Sequence, residues 1–80
     1  MASIRNPGIV LFHAQGCSLC DRARDVLDRV GIPYESIDIT GDDLLEERYR
    51  EWLPVVEIDG ARAFVYYVDE AALRRKLSQT

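Results

Sequence analysis

The sequence predicts one α/β domain over residues 1–80, in the order β-α-β-α-β-β-α, with helices on both faces of a four-stranded mixed sheet. Three observations carry this. Short strand-like apolar runs alternate with stretches whose apolar residues recur every three or four positions. Gly31 and Pro33 separate the first helical stretch from the next strand, giving a βαβ unit and hence a parallel pair with a right-handed crossover. Asp59-Gly60, between two further strand runs, is a strong two-residue hairpin signal.

Each element has its own warrant. Residues 8–13 read as a buried strand, with Pro7-Gly8 as opening punctuation. Ala23, Val26, Leu27 and Val30 then form one apolar helical stripe, with Arg22, Arg24, Asp25, Asp28 and Arg29 on the wet side. Gly31 caps that helix and Pro33 stops it from resuming. Residues 34–39 are the second strand, with Ile37 and Ile39 on one face. A turn at residues 40–43 starts a short helix through about Arg50, carried by Leu44, Leu45 and Tyr49. Residues 54–58 and 61–68 are the third and fourth strands. Asp69 caps a last helix whose Leu73 and Leu77 face the sheet, and Arg74, Arg75 and Lys76 suit its negative end.

Composition narrows the class. A hydrophobic share of 48% and a charged share of 30% describe an ordinary globular domain. A net charge of −4 argues against nucleic-acid binding through a basic surface. The stretch 1–7 has no signal-peptide core, and no segment is long and apolar enough to span a membrane. A cytoplasmic monomer is the expectation.

Cys17 and Cys20 are the only cysteines, placed where the first strand hands over to the first helix. Their spacing puts them on one helical face, about one turn apart. The unpaired N–H groups and dipole of a first helical turn favour a thiolate over a thiol. Cys20, one turn further in, is expected to be more buried and placed to attack Cys17. The pair reads as a redox-active dithiol. A staple is a second reading, but closing so short a loop is worth only about 2 kcal/mol, and a reducing cytosol opens ordinary pairs. A zinc site is a third. It wants four ligands, and the chain offers Cys17, Cys20 and His13.

With Cys-x-x-Cys opening the first helix and Trp52-Leu53-Pro54-Val55-Val56 heading the third strand, the chain resembles a glutaredoxin of the thioredoxin fold. The resemblance covers nearly all of the chain. It implies that Pro54 is cis and lies against the dithiol, and that Leu53 offers its backbone to an extended substrate. It also implies thiol–disulfide exchange at Cys17 and Cys20. The small glutaredoxin-like branch with Cys-x-Leu-Cys-Asp is the nearest pattern, because Ser18-Leu19 replaces the usual proline and aromatic. Ala14 stands where glutathione-binding members carry a lysine, and Tyr66-Tyr67 where they carry two glycines. Both changes predict weak glutathione binding.

Several residues around the dithiol are candidate modulators. His13, four residues before Cys17, is either a proton relay or a strand-end structural residue. Ser18 either donates to the Cys17 thiolate or faces water. Trp52 is either a contact platform or a core aromatic. Asp69 matches a family aspartate at the last helix start, where capping alone would also explain it. Asp21 reads as a favourable first-turn carboxylate or as a charge opposing the Cys20 thiolate.

The expected function is a thiol–disulfide oxidoreductase or electron donor. Its partners would be a disulfide-bearing protein or small-thiol substrate and an external reductant. No nucleotide or flavin motif is present, so no cofactor or metal is implied. The alternative is a binding module: a thioredoxin-fold adaptor, or a protein bridging an iron–sulfur cluster across a dimer through Cys17.

Overall fold

A computed structural model describes residues 8–78; the reading of residues 1–7 lies outside the described residues. The chain runs β1 (Ile9–His13), α1 (Ser18–Val30), β2 (Glu35–Asp38), α2 (Asp43–Tyr49), a 3-10 turn (Arg50–Trp52), β3 (Val55–Ile58), β4 (Ala61–Val65) and α3 (Glu70–Ser78). The sheet order is β2-β1-β3-β4. β1 pairs parallel with β2 and antiparallel with β3, and β3 pairs antiparallel with β4. The fold class read from the sequence is the one observed.

β1 is central, which is why it is apolar on both sides rather than alternating. Ile9 and Leu11 point to one face, where they meet Ala23 and Leu27 of α1 and Leu73 of α3. Phe12 and Ala14 point to the other, where they meet Ile39 and Tyr49. The Phe12 and Tyr49 rings stack there at 4.0 Å, which fixes the end of α2 against the sheet. Gly31 closes α1, its N–H donating to the Leu27 carbonyl at 3.1 Å. Asp59 and Gly60 both adopt positive φ, as a two-residue hairpin turn requires. At that same end, Gly8 and Asp59 exchange two hydrogen bonds of 2.8 Å, one through each backbone N–H, closing the β1–β3 pair.

Three details differ from the sequence reading. The fourth strand ends at Val65, not Val68, because Tyr66 turns into the left-handed region at φ 66. Val68 belongs to the core under α1 and α3 without being in a strand. Leu44, read as part of the α2 stripe, is 80% exposed; a helix this short buries only Tyr49 fully. Among the described residues no helix is long and apolar enough to cross a membrane.

Candidate active site

Phe12 of β1 pairs with Val55 of β3, and Val55 pairs with Val65 of β4. The Cys turn after β1, the Leu53-Pro54 segment before β3 and Tyr66-Tyr67 after β4 therefore leave the sheet at one end. Asp69, at the start of α3, follows directly. The fold thus brings Cys17, Cys20, Leu53, Pro54, Ser18, Trp52 and Asp69 to one rim.

The turn into α1 is built for this. Gly16 has φ 73, a conformation that a side chain disfavours. The Gln15 N–H donates to Thr40 Oγ1 at 3.2 Å, pinning the loop to the turn after β2. Cys17 is then the N-cap of α1 in extended conformation. Its sulfur accepts the Cys20 N–H at 3.1 Å, and its carbonyl accepts the Asp21 N–H at 3.2 Å. One orphan donor of the first turn is thereby aimed at the sulfur. The two sulfurs are joined as a disulfide across Cα atoms 5.2 Å apart.

The two cysteines are not equivalent. Cys20 is 1% exposed beneath the first turn, whereas Cys17 is half-buried at the rim. In the reduced protein, iodoacetamide should therefore modify Cys17 well before Cys20, since an accessible sulfur at a helix N-terminus is the reactive one. Peptide mapping of a partly alkylated sample checks this. A sample modified first at Cys20 would reverse the assignment.

Leu53–Pro54 is a cis peptide, Pro54 is buried, and Leu53 is half-buried against the α2-side core. The backbone around it is held from β4: the Tyr66 N–H donates to the Pro54 carbonyl at 2.9 Å and to the Trp52 carbonyl at 3.3 Å. The Tyr67 N–H turns back to the Val65 carbonyl at 2.7 Å. Trp52 is exposed, its ring 6.0 Å from that of Tyr66, with the Arg62 guanidinium 5.7 Å from the ring centre. At this exposure Trp52 is not a core aromatic.

The remaining modulators are placed as follows. His13 Nε2 lies 2.8 Å from Ser36 Oγ on β2. Partial burial, with the Arg24 guanidinium second, holds its pKa below the ordinary value against the opposing pull of Asp38 and Asp21. Ser18 is exposed at the first position of α1. Asp69 Oδ1 accepts the Ala71 N–H at 3.1 Å and its carbonyl accepts the Leu73 N–H at 2.9 Å, which is capping. Among the described residues no group of three His, Cys, Asp or Glu side chains is arranged to hold a metal ion. Ala14, where the resemblance puts a lysine in glutathione binders, is buried among Phe12, Ile39, Tyr49 and Val55.

Sequence reasoning missed two features of this rim. Positive φ at Tyr66 is invisible from a residue type with strong strand preference. The Arg62–Trp52–Tyr66 cluster is assembled from separate elements, and only the β3–β4 pairing brings them together.

Comparison with known proteins agrees with this geometry. Residues 8–78 match the family described as a glutaredoxin-like domain (DUF836). Over 55 residues the chain is 34% identical to the N-acetyl-S-hydroxy-L-cysteine reductase of Bacillus subtilis, covering 62% of this chain and 59% of that protein. The chain thus spans less than two thirds of that curated relative. An X-ray structure of an X. campestris protein superposes with a TM-score of 0.80 at 27% identity, covering 91% of this chain and 99% of that one. A Nitrosomonas europaea protein solved by NMR superposes with a TM-score of 0.78 at 20% identity, covering 96% and 98%. A buckwheat glutaredoxin in complex with glutathione shares the fold at a TM-score of 0.61 and 20% identity, covering 91% and 70%. The family match and the reductase-named relative, together with the paired sulfurs, support thiol redox chemistry in general.

Proposed function

Because this chain belongs to the glutaredoxin-like domain family, we propose that it is a thiol–disulfide oxidoreductase whose nucleophile is Cys17 and whose resolving thiol is Cys20. The observation that carries this reading is the asymmetry of the pair: an accessible N-cap sulfur holding an N–H bond, with a buried sulfur one turn behind it. In the first step the Cys17 thiolate attacks a substrate disulfide, one substrate sulfur leaves as a thiol, and a mixed disulfide forms. Cys20 then loses its proton and attacks the Cys17 sulfur. The second substrate thiol leaves, and the Cys17–Cys20 disulfide carries the two electrons' worth of oxidation. An external thiol or dithiol reductant restores the pair. We place this cycle in the cytoplasm, with a protein or small-thiol disulfide as substrate and no resident cofactor.

A second substrate is suggested by the Bacillus subtilis relative, whose name specifies an S-hydroxy-cysteine, a sulfenic acid. The same two cysteines can carry that reduction. Cys17 attacks the sulfenyl sulfur, the S–O bond breaks, and the oxygen leaves as water after taking a proton. Cys20 resolves the mixed disulfide as before, so one two-electron oxidation of the pair balances one sulfenic acid reduced to a thiol.

Glutathione is an unfavourable reductant in this reading. The site of the family lysine is a buried alanine, and Tyr66 and Tyr67 occupy the rim where two glycines would leave space. Glutathione-coupled reduction of a mixed disulfide should therefore be slow in the unmodified protein. Combining Tyr66→Gly with Tyr67→Gly should raise it about tenfold, the effect of roughly 1.4 kcal/mol of recovered binding. The fold should tolerate the pair, since the side chains are 47% and 70% exposed and glycine is at ease at the positive φ of residue 66. A wild-type rate already equal to that of the double variant would remove the steric argument.

A further inference from the structure

Among the described residues the exposed large hydrophobic side chains are Leu19, Leu44, Trp52, Tyr66 and Tyr67, and all but Leu44 are linked into one surface. Leu19, which lies between the two cysteines, lines one cavity with Tyr66 and Tyr67. The Tyr66 ring is in turn 6.0 Å from that of Trp52. The apolar surface therefore runs from the cysteine turn, past the end of β4, to the segment before Pro54. An open patch of this kind marks a contact with another macromolecule, and Trp, Tyr and Arg are the side chains that carry such contacts.

The Trp52 end of the surface is both anchored and charged. The Trp52 and Pro54 carbonyls accept the same Tyr66 N–H, so the two aromatic residues share one backbone clamp. Arg62 on β4 stands opposite Glu57 on β3 in the strand register, where an ion pair is the usual outcome. No such pair forms. Glu57 Oε2 accepts the Tyr49 hydroxyl at 3.0 Å, and the Arg62 guanidinium lies over the Trp52 ring, 5.7 Å from its centre. Among the described residues the Arg62 side chain makes no ion pair or hydrogen bond. A guanidinium laid on an aromatic face keeps its N–H edge free for a carboxylate.

We propose that Trp52, Tyr66 and Arg62 form a docking surface for a protein substrate, seating an aromatic side chain and a neighbouring carboxylate that flank the substrate's reactive cysteine. The proposal deepens the oxidoreductase reading and rests on it. Since β1, β3 and β4 are neighbours spaced about 4.8 Å apart, the ring pair stands on the order of 10 Å across the sheet from the end of β1 that leads into Cys17. An extended segment covers that distance in about three residues. The surface is open rather than enclosed, which suits a side chain carried by a polypeptide better than a free small molecule. The chemistry is the exchange already written: the substrate disulfide breaks, its two halves leave as thiols, and Cys17 and Cys20 become oxidised.

The test uses the pre-reduced full chain in single turnover with symmetrical disulfides of blocked peptides. One peptide carries Phe three positions from its cysteine on either side, each followed outward by Asp. A second has Asn for Asp, and a third has Ser for both residues. The Phe-Asp peptide should react about fivefold faster than the Ser peptide, the worth of one aromatic contact. Trp52→Ala should bring that ratio close to one, while Trp52→Phe keeps most of it. Arg62→Gln should remove an Asp-over-Asn preference of about threefold. A wild-type ratio near one, or a ratio that Trp52→Ala leaves unchanged, would overturn the docking surface. A chain inert toward all three peptides would overturn the dithiol reading and the surface with it. A second measurement does not depend on rates or on the alanine variant folding. Trp52 is the chain's single tryptophan, so its emission in the trapped Cys20→Ser adduct reports the seating directly. The adduct of the Phe-Asp peptide should emit at shorter wavelength than that of the Ser peptide. Identical emission from the two adducts would sink the docking surface, while their formation would leave the dithiol chemistry standing.

Discussion

A Cys20→Ser variant is expected to stop after the first half of the cycle, holding its substrate as a mixed disulfide on Cys17. Serine fills the buried position with nearly the same volume but is no resolving nucleophile at neutral pH. The adduct should reach one per chain, seen as a mass increase in intact-protein spectra and removed by dithiothreitol. Cys17→Ser should lose reduction altogether, by on the order of a thousandfold or more, because residues acting as one unit lose nearly all activity when the nucleophile goes. The two variants thus give opposite signatures, a trapped adduct and no adduct. An adduct on Cys20 in the Cys17→Ser protein would reverse their roles. Full turnover by Cys20→Ser, without added monothiol, would show that no resolving thiol is needed. The same trap applied to a cell extract would identify a protein substrate.

The second large effect concerns stability. Leu27→Ala should cost about 2–5 kcal/mol, because Leu27 is fully buried between α1 and the sheet, against Leu11, Val56 and Leu73. A domain of this length holds roughly 4–12 kcal/mol in total, so a large part of its stability would go. The urea midpoint should fall accordingly, and the thermal midpoint by roughly 10–30 °C. Because the buried thiol rides on the same helix, Cys20 should become easier to alkylate in proportion as the helix loosens. Leu44→Ala is the matched control: the same deletion at a side chain 80% exposed should move the midpoint little. Equal losses at the two positions would mean that α1 is not held by this core.

Much of the fold was legible because local signals agreed. The continuous apolar run of β1, the stripe of α1 and the Asp59-Gly60 turn each point to one structure, and their order leaves few topologies open. The errors fall where tertiary bonds override local preference. Tyr66 and Tyr67 favour strands by type, yet the two carbonyls of Trp52 and Pro54 draw the Tyr66 N–H inward and end the strand at Val65. Leu44 misled because a short helix carries too few positions for a stripe to be read. At the site, the cysteines and proline announce themselves by spacing. The Trp52–Tyr66 ring pair does not: it forms only because Tyr66 leaves the strand and bonds to the Trp52 carbonyl.

The pair of hydrogen bonds between Gly8 and Asp59 has a practical consequence for anyone handling this molecule. It fastens β1 at the pole away from the dithiol, and a five-residue strand separates the two poles by about 17 Å. Gly8 therefore marks a pole of the domain opposite the rim that carries Cys17. A copy held at this pole through the Asp59-Gly60 turn would present its dithiol outward to whatever is washed over it.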